Sequence, residues 1–262
     1  MTEVPLRVAL IGYGAAGRIF HAPLIRHAPG LELALVVSRR RDELAQALPG
    51  VEVVELPEEA ILRADIDLVV IASPNATHAP LAEAALRAGR HVVVDQALQL
   101  FGLPARVGGR LSRQRDGALA DDGCEAWLDY GNLQVSLSAS MLVGGGLPRF
   151  AAHGTAGSWI RHGLDVQEDQ LKAGLVPGDT AWAEDARPAR LYRGDGETAE
   201  LPVTRGRYEA FYAAVAEAIL GRGANPVPAA QAVATMAVLE TVVEAARLGC
   251  MLPLPLNAAE RA

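Results

Sequence analysis

Gly12-Tyr13-Gly14-Ala15-Ala16-Gly17 has the spacing of a turn built to receive a pyrophosphate. The run follows an apolar stretch, Leu6–Ile11, and opens a helical pattern. In that context each glycine has a task. Gly12 permits the tight turn, Gly14 lets the backbone approach the phosphates, and Gly17 allows helix and strand to pack closely. The ligand's negative charge would sit at the positive end of the helix that follows, beside Tyr13, Ala15 and Ala16.

Two further stretches carry matching chemistry. Val37-Ser38-Arg39-Arg40-Arg41 ends the second apolar run, where an NAD site usually places an acid for the ribose 2′-hydroxyl. No acid occurs here before Asp42. Ser38 can donate to a 2′-phosphate and Arg39 can pair with it or stack over the adenine, so NADP is favoured over NAD. Arg40 and Arg41 read equally well as a solvated helix start. Ala72-Ser73-Pro74-Asn75-Ala76-Thr77-His78 follows the fourth apolar run, where ligands bind in such sheets. Asn75 and His78 are suited to line a nicotinamide pocket, although a loop histidine is also an ordinary surface residue.

These residues need a scaffold that brings the ends of several strands together. Residues 6–95 supply one by alternating short, continuously apolar runs with helical patterns. Strands are expected at Leu6–Ile11, Leu31–Val37, Val51–Leu56, Ile66–Ala72 and His91–Val94. Helices are expected at Ala15–His27, Asp42–Leu48, Pro57–Arg63 and Pro80–Ala88. Strands of this type imply a parallel sheet covered on both faces. Beyond residue 105 the rhythm changes to hairpins. Cys124–Tyr130 and Leu133–Met141 flank Gly131-Asn132, Phe150–His153 and Ser158–Arg161 flank Gly154–Gly157, and Ala189–Tyr192 and Ala199–Val203 flank Gly194–Gly196. In Leu133–Met141 the odd positions are apolar, while Gln134, Ser136, Ser138 and Ser140 share the other face, the pattern of a half-covered strand. Two helices close the chain. Phe211, Val215 and Ile219 of one, and Val233, Met236, Leu239 and Val243 of the other, read as core stripes. The fold class is α/β: a shortened Rossmann-type parallel sheet in residues 1–95, then an α+β domain in 96–262 with a mainly antiparallel sheet.

The bulk properties agree with a soluble small-molecule protein. Of 262 residues, 50% are hydrophobic and 21% charged. A net charge of −7 argues against nucleic acid as the main partner. No basic leader precedes a long apolar run, and no stretch reads as a membrane span. Cys124 and Cys250 are far apart and read as reduced, packed thiols, so a cytoplasmic location is expected. No metal-ligand spacing is present.

Taken together, IGYGAAGRIFHAPLI, SPNATHAPLAEAALRAGRHVVVD and HGTAGSWIRHGLDVQEDQLKAG resemble the Gfo/Idh/MocA oxidoreductase family (glucose–fructose oxidoreductase, inositol dehydrogenase, rhizopine catabolism). The last piece is most similar to the branch of NADP-dependent scyllo-inositol 2-dehydrogenases. The resemblance implies cofactor contacts at Gly12, Gly14, Gly17, Ser38, Arg39, Ser73, Pro74, Asn75 and His78. It also implies hydride transfer between NADP and a polyol, inositol or sugar-like substrate, and a homo-oligomer paired through the C-terminal sheet.

One stretch departs from the family pattern. HVVVDQALQLFG, residues 91–102, passes from a strand into Gln96–Gly102, which reads as amphipathic helix, with no turn residues between. In the family the strand runs into Glu/Asp-Lys-Pro, whose lysine assists proton transfer, and a later Asp-x-Gly-x-His supplies a second acid/base. Here Gln96 follows Asp95. The chain passes from the first residue of that motif to the helix beyond the histidine, as though an internal segment were deleted. Asp95 can still contact the nicotinamide ribose. His78, Asp95, His153 and His162 are acid/base candidates by chemistry, but the sequence places none at a reacting carbon, and no catalytic residue is assigned. Two readings stand: an NADP-dependent oxidoreductase, or a nucleotide-binding homologue (sensor, partner subunit or incomplete gene product) that lacks the proton-transfer groups.

Overall fold

The computed structural model describes residues 4–73, 77, 81, 84, 87–88, 91–93, 100–257 and 260, without the side chains of Asp42 and of 91–93. It divides into two compact units, residues 1–94 with 148–226, and residues 95–147 with 227–262.

The first unit is built on a five-stranded sheet of order β3-β2-β1-β4-β5, every pair parallel. The strands are β1 (Leu6–Ile11), β2 (Leu31–Val37), β3 (Glu52–Val54), β4 (Leu68–Ile71) and β5 (His91–Val93). β1 and β4 are uninterrupted aliphatic runs because both their faces are covered. On one face, Val8, Leu10, Val36, Leu68 and Val70 pack with Leu24 and Ile25 of α1 (Ala22–His27). On the other, Ala9, Ile11, Leu35, Val69 and Ile71 pack with Ala60 and Ile61 of α3 (Pro57–Ile61). A π-helical turn, Gly17–His21, leads into α1, so residues 15–27 are helical as expected from the pattern. α2 (Arg41–Ala47) links β2 to β3. β3 is shorter than the apolar run that announced it. Of the helix expected at Pro80–Ala88, and of Gln96–Gly102, the larger part lies outside the described residues. Leu100–Gly102 is not helical, and Gly102 has a left-handed φ of 69°.

The same unit carries a four-stranded antiparallel sheet of order β12-β11-β10-β9. The strands are β9 (Phe150–Gly154), β10 (Gly157–Arg161), β11 (Ala189–Arg193) and β12 (Thr198–Leu201), which realise both expected hairpins. Between them α4 (Val166–Lys172) starts at Asp165, whose carboxylate accepts the Gln167 N–H at 2.8 Å. Gln167 is fully buried, and its Oε1 accepts the Tyr208 N–H at 3.0 Å, tying α4 to the start of α5 (Tyr208–Ile219). α5 buries Tyr212, Val215 and Ala216 in the core of the parallel sheet, with Phe211 and Ile219 packed at its margin, so the expected stripe is core. Arg161, 8% exposed, is held by Asp185, which also accepts from Arg187 Nε and Nη2 at 2.8 Å each.

The second unit is a four-stranded sheet of order β13-β6-β7-β8, all antiparallel, with a long helix against it. β7 (Gly123–Asp129) and β8 (Gln134–Ser140) form the expected hairpin around Gly131, whose φ is 85°. β6 (Arg106–Ser112) and β13 (Leu252–Pro253) were not expected. Gly108 and Gly109 make β6 look like a loop in sequence, yet Gly109 is what lets the helix α6 (Ala229–Leu248) approach, while Gly108 leaves room for Met251 and Trp127. A Cβ at Gly109 would lie 2.2 Å from the Val242 carbonyl oxygen.

That close approach corrects one reading. α6 turns Ala234, Ala237, Val238, Thr241, Val242 and Ala245 inward, because only small and β-branched side chains fit against a glycine strand. Val233, Met236, Leu239 and Val243, expected as core, are half exposed. α6 is also long and apolar enough to cross a membrane by length and composition, contrary to the expectation from sequence, but its inner face is packed on β6. Cys250 is exposed rather than packed, while Cys124 is partly covered.

Two predictions follow from this packing. Gly109→Ala should destabilise the protein by about 2 kcal/mol through forced overpacking against α6, measured by urea unfolding. Asp185→Asn should cost about 3 kcal/mol at neutral pH by leaving Arg161 buried without its counter-ion. The hydrogen bonds from Arg187, then the charge of Arg161, hold the Asp185 carboxyl down to about 2. A carboxyl depressed by folding contributes above its unfolded pKa and loses that contribution as pH falls towards its folded one. The gap between wild type and Asp185→Asn should therefore be constant above about pH 4 and narrow towards pH 2.

Candidate functional site

The candidate site lies at the carboxyl ends of β1, β2 and β4, where the backbone itself fixes the geometry. The Gly12 N–H donates to the Val37 carbonyl at 3.2 Å, and the Ala72 N–H donates to the Ile11 carbonyl at 2.8 Å. These two bonds place the ends of all three strands side by side. Gly12 has φ +99°, and a Cβ there would meet the Ala72 carbonyl oxygen at 2.8 Å and the Ser73 nitrogen at 2.9 Å. Only glycine supplies that conformation and that clearance. Gly17 is tighter still, since a Cβ would lie 2.1 Å from the Gly12 carbonyl oxygen. The turn is closed by Arg18 N–H donating to the Gly14 carbonyl at 3.0 Å.

Gly14 differs from both. Nothing lies within 4 Å of where its Cβ would stand. The space above it is open, and Gly14, Ala15 and Ala16 are exposed. Their N–H groups begin the helix and donate to no backbone carbonyl among the described residues. A cradle of free N–H groups at a helix start, kept clear of side chains, fits a dinucleotide pyrophosphate. Tyr13 turns the other way, into the core, and burial pushes its phenol up. Its contribution to the cradle is therefore through its backbone.

The turn has a tether that the sequence did not reveal. Arg40 Nη2 donates to the Tyr13 carbonyl at 2.5 Å, and Nη1 pairs with Glu43 at 3.3 Å. Arg40, read equally well as a solvated residue, instead bridges the glycine turn to the start of α2. Nothing in a run of three arginines distinguishes the one that reaches back across the sheet. Ser38 Oγ accepts the Arg40 N–H at 3.2 Å, and the Ser38 N–H donates to the Val54 carbonyl at 2.8 Å. The Ser38 hydroxyl hydrogen is left to donate outward. Arg39 is exposed and has no carboxylate partner among the described residues. Beyond the end of β4, Ser73 Oγ and Thr77 Oγ1 share a hydrogen bond at 2.7 Å.

The structure thus gathers Gly12, Tyr13, Gly14, Ala15, Ala16, Gly17, Ser38, Arg39 and Ser73 at three adjacent strand ends. Pro74, Asn75, His78 and Asp95 lie outside the described residues. His153 is not at these strand ends: its Nδ1 bonds Ser158 Oγ at 2.8 Å across the β9–β10 hairpin. A concavity of about 360 Å³ elsewhere in this unit is lined by Arg149, Arg161, Asp165, Asp185, Thr204 and Tyr208. Its buried charges are spent on one another and on capping α4. Among the described residues no three His, Cys, Asp or Glu side chains gather as a metal would require.

Comparison with known proteins decides the lineage. Residues 6–98 match the oxidoreductase family NAD-binding Rossmann fold of Gfo/Idh/MocA, and residues 88–254 match the family's C-terminal alpha/beta domain. The chain belongs to the Gfo/Idh/MocA oxidoreductase family. It is 32% identical to the uncharacterised oxidoreductase YdgJ of Escherichia coli (strain K12), over 92% of this chain and 96% of that one. It is 24% identical to the scyllo-inositol 2-dehydrogenase (NADP(+)) IolW of Bacillus subtilis (strain 168), over 92% and 94%. A crystal structure of a candidate oxidoreductase from Klebsiella pneumoniae superposes with a TM-score of 0.92 at 37% identity, covering 98% of this chain and 97% of that one. The alignment to YdgJ runs over 334 positions but draws on 92% of 262 residues, so roughly ninety positions of the alignment face no residue here. This Gfo/Idh/MocA chain therefore keeps both ends of the family fold while being shorter inside.

The two glycines predict opposite phenotypes. Gly14→Ala should leave the melting temperature unchanged, since its Cβ meets nothing, while weakening nucleotide binding on the order of tenfold or more. Gly17→Ala should lower the melting temperature of the nucleotide-free protein, because the Gly12 carbonyl must move. Differential scanning calorimetry with and without nucleotide separates the two.

Proposed function

We propose that this chain binds NADP(H) and descends from enzymes that transfer hydride between NADP and a polyol, inositol or sugar-like substrate. The observation that carries the cofactor choice is the end of β2. Ser38 has a hydroxyl to donate and Arg39 an exposed guanidinium, whereas no carboxylate occurs between Val37 and Asp42 to hold a free ribose 2′-hydroxyl. The NADP(+) in the name of the relative IolW supports the same choice. Gly14, Ala15 and Ala16 would hold the pyrophosphate by their N–H groups, with Ser38 and Arg39 at the 2′-phosphate. Ser73, Pro74, Asn75, His78 and Asp95 are proposed to border the nicotinamide side. When bound, NADP supplies the hydride donor or acceptor.

A second reading rests on one specific feature. Gln96 follows Asp95 where the resemblance implies a lysine, and the internal shortening falls in the region that would carry the histidine. Proton transfer contributes on the order of 10²–10⁴-fold, so a chain without either group binds the nucleotide and turns over slowly or not at all. This reading makes the protein a nucleotide-binding homologue serving as sensor, partner subunit or incomplete gene product. Under both readings the ligands are small molecules rather than nucleic acid or membrane, which the net charge of −7 supports. A cytoplasmic location and a homo-oligomer formed through the C-terminal sheet complete the proposal.

Thermal shift with NADPH and NADH tests the cofactor assignment. NADPH should stabilise wild type more than NADH does, and Arg39→Glu should remove most of that difference without lowering the melting temperature of the nucleotide-free protein. Equal stabilisation of wild type by the two nucleotides would exclude the assignment. NADPH oxidation with inososes, and NADP⁺ reduction with inositols and simple sugars, then separates the two readings. Turnover well above the uncatalysed rate sinks the second.

A further inference from the structure

Arg40 holds the glycine turn at one atom, the Tyr13 carbonyl oxygen, 2.5 Å from Nη2. No backbone N–H among the described residues donates to that oxygen. The Tyr13 carbonyl and the Gly14 N–H belong to one peptide unit, and no peptide among the described residues is cis. A trans peptide is planar, with its C=O and N–H pointing in opposite directions. The direction of the oxygen therefore sets the direction of the hydrogen. With the oxygen turned to Arg40, the Gly14 N–H faces away from it. It belongs to an exposed residue and donates to no backbone carbonyl among the described residues.

The sequence of the turn leaves this peptide free to rotate. The Tyr13 side chain is anchored in the core, so the peptide turns about the two bonds that flank it, ψ of Tyr13 and φ of Gly14. Gly14 has no left-handed φ here. Turning the peptide over carries that φ to positive values, which glycine adopts without strain. The missing side chain that clears room for phosphate thus also permits the flip. A flipped peptide would offer the pyrophosphate a carbonyl oxygen in place of a donor, and the two would repel.

We propose that Arg40 is a positioning residue for the nucleotide, locking the Tyr13–Gly14 peptide in the orientation that offers its N–H to the pyrophosphate. Arg40 touches no part of the ligand in this role, which rests on the proposed reading of the turn as a dinucleotide site. Its charge also polarises the peptide it grips and strengthens the N–H as a donor. The guanidinium is itself aimed, since Nη1 pairs with Glu43 at 3.3 Å. The Arg40 backbone N–H meanwhile donates to Ser38 Oγ at 3.2 Å, which turns the Ser38 hydroxyl hydrogen outward. One residue thus aligns both ends of the cofactor site, the far end through its backbone and the turn through its side chain. A substitution removes only the second.

Fragments of the cofactor separate the two ends. ADP carries a pyrophosphate without a 2′-phosphate, and adenosine 2′-monophosphate carries the reverse. In calorimetric titrations of the full chain, Arg40→Met should weaken NADPH and ADP by the same factor, on the order of tenfold, as expected for one lost hydrogen bond from a charged donor. It should leave adenosine 2′-monophosphate bound as in wild type, within about twofold. Arg39→Ala should do the converse, weakening NADPH and the 2′-monophosphate while sparing ADP. Glu43→Gln, which releases Nη1 but leaves Nη2 on its carbonyl, should change none of the three by more than about twofold. A direct phosphate contact by Arg40, a loosened start of α2, or the bare loss of one positive charge would each weaken adenosine 2′-monophosphate in Arg40→Met. That result overturns the proposal, and so does unaltered ADP binding by this variant. Failure of wild type to bind either NADPH or ADP overturns the dinucleotide reading itself, and the role of Arg40 with it.

Discussion

The contact on which the nucleotide-binding sheet depends is one between backbones. Gly17 sits where a single methyl group would lie 2.1 Å from the Gly12 carbonyl, and Gly12 sits where one would strike Ala72. The turn between β1 and its helix can therefore be as tight as it is only if both positions lack side chains. With that tightness the helix start points at the ends of β2 and β4, and Ser38, Arg39 and Ser73 become neighbours of the turn. Gly14 is spared the same crowding, which is why it alone offers room for a ligand. Arg40 then fixes the turn from outside, through the Tyr13 carbonyl.

The parallel sheet was legible in the sequence because its strands are buried on both faces. Such strands are continuous aliphatic runs, and β1 and β2 occupy the ranges the pattern assigns them. Hairpins with glycine at the turn were legible for the same kind of reason, since a left-handed φ restricts the residue choice. β6 was not. A strand that must let a helix within backbone distance spends an inward position on Gly109, and with Gly108 beside it loses the alternation by which strands are recognised. The reversed face of α6 has the same origin. Periodicity reports that one side of a helix is apolar, and the larger side chains drew attention to Val233, Met236, Leu239 and Val243. The face actually buried is the one with the smaller residues, because the space against β6 is too thin for leucine or methionine.

The candidate site divides along a similar line. The glycine spacing and Ser38-Arg39 could be read directly, because each requirement falls on a residue type within a few positions of the next. The tether from Arg40 could not, since it depends on a reach between two strands that only the folded chain brings together. The departure at Asp95-Gln96 could be read, because a motif interrupted after its first residue is visible without any fold. Family membership then fixes the lineage of both halves, and the length of the alignment shows that this member is shorter inside than the relative it resembles.

The second unit is drawn from two stretches of chain, 95–147 and 227–262, and the whole of 148–226 belongs to the first. Its last strand pairs Leu252 with Val107, so closing that sheet joins residues separated by more than half the sequence. Contacts of such separation carry a loop-closure cost before they return any stability. During synthesis β6, β7 and β8 emerge well before α6 and β13. Until then the glycine strand has no helix against it. The order of the chain thus makes the newborn protein, rather than the folded one, the form most exposed to mispairing, and the length of chain between β8 and α6 sets how long that exposure lasts.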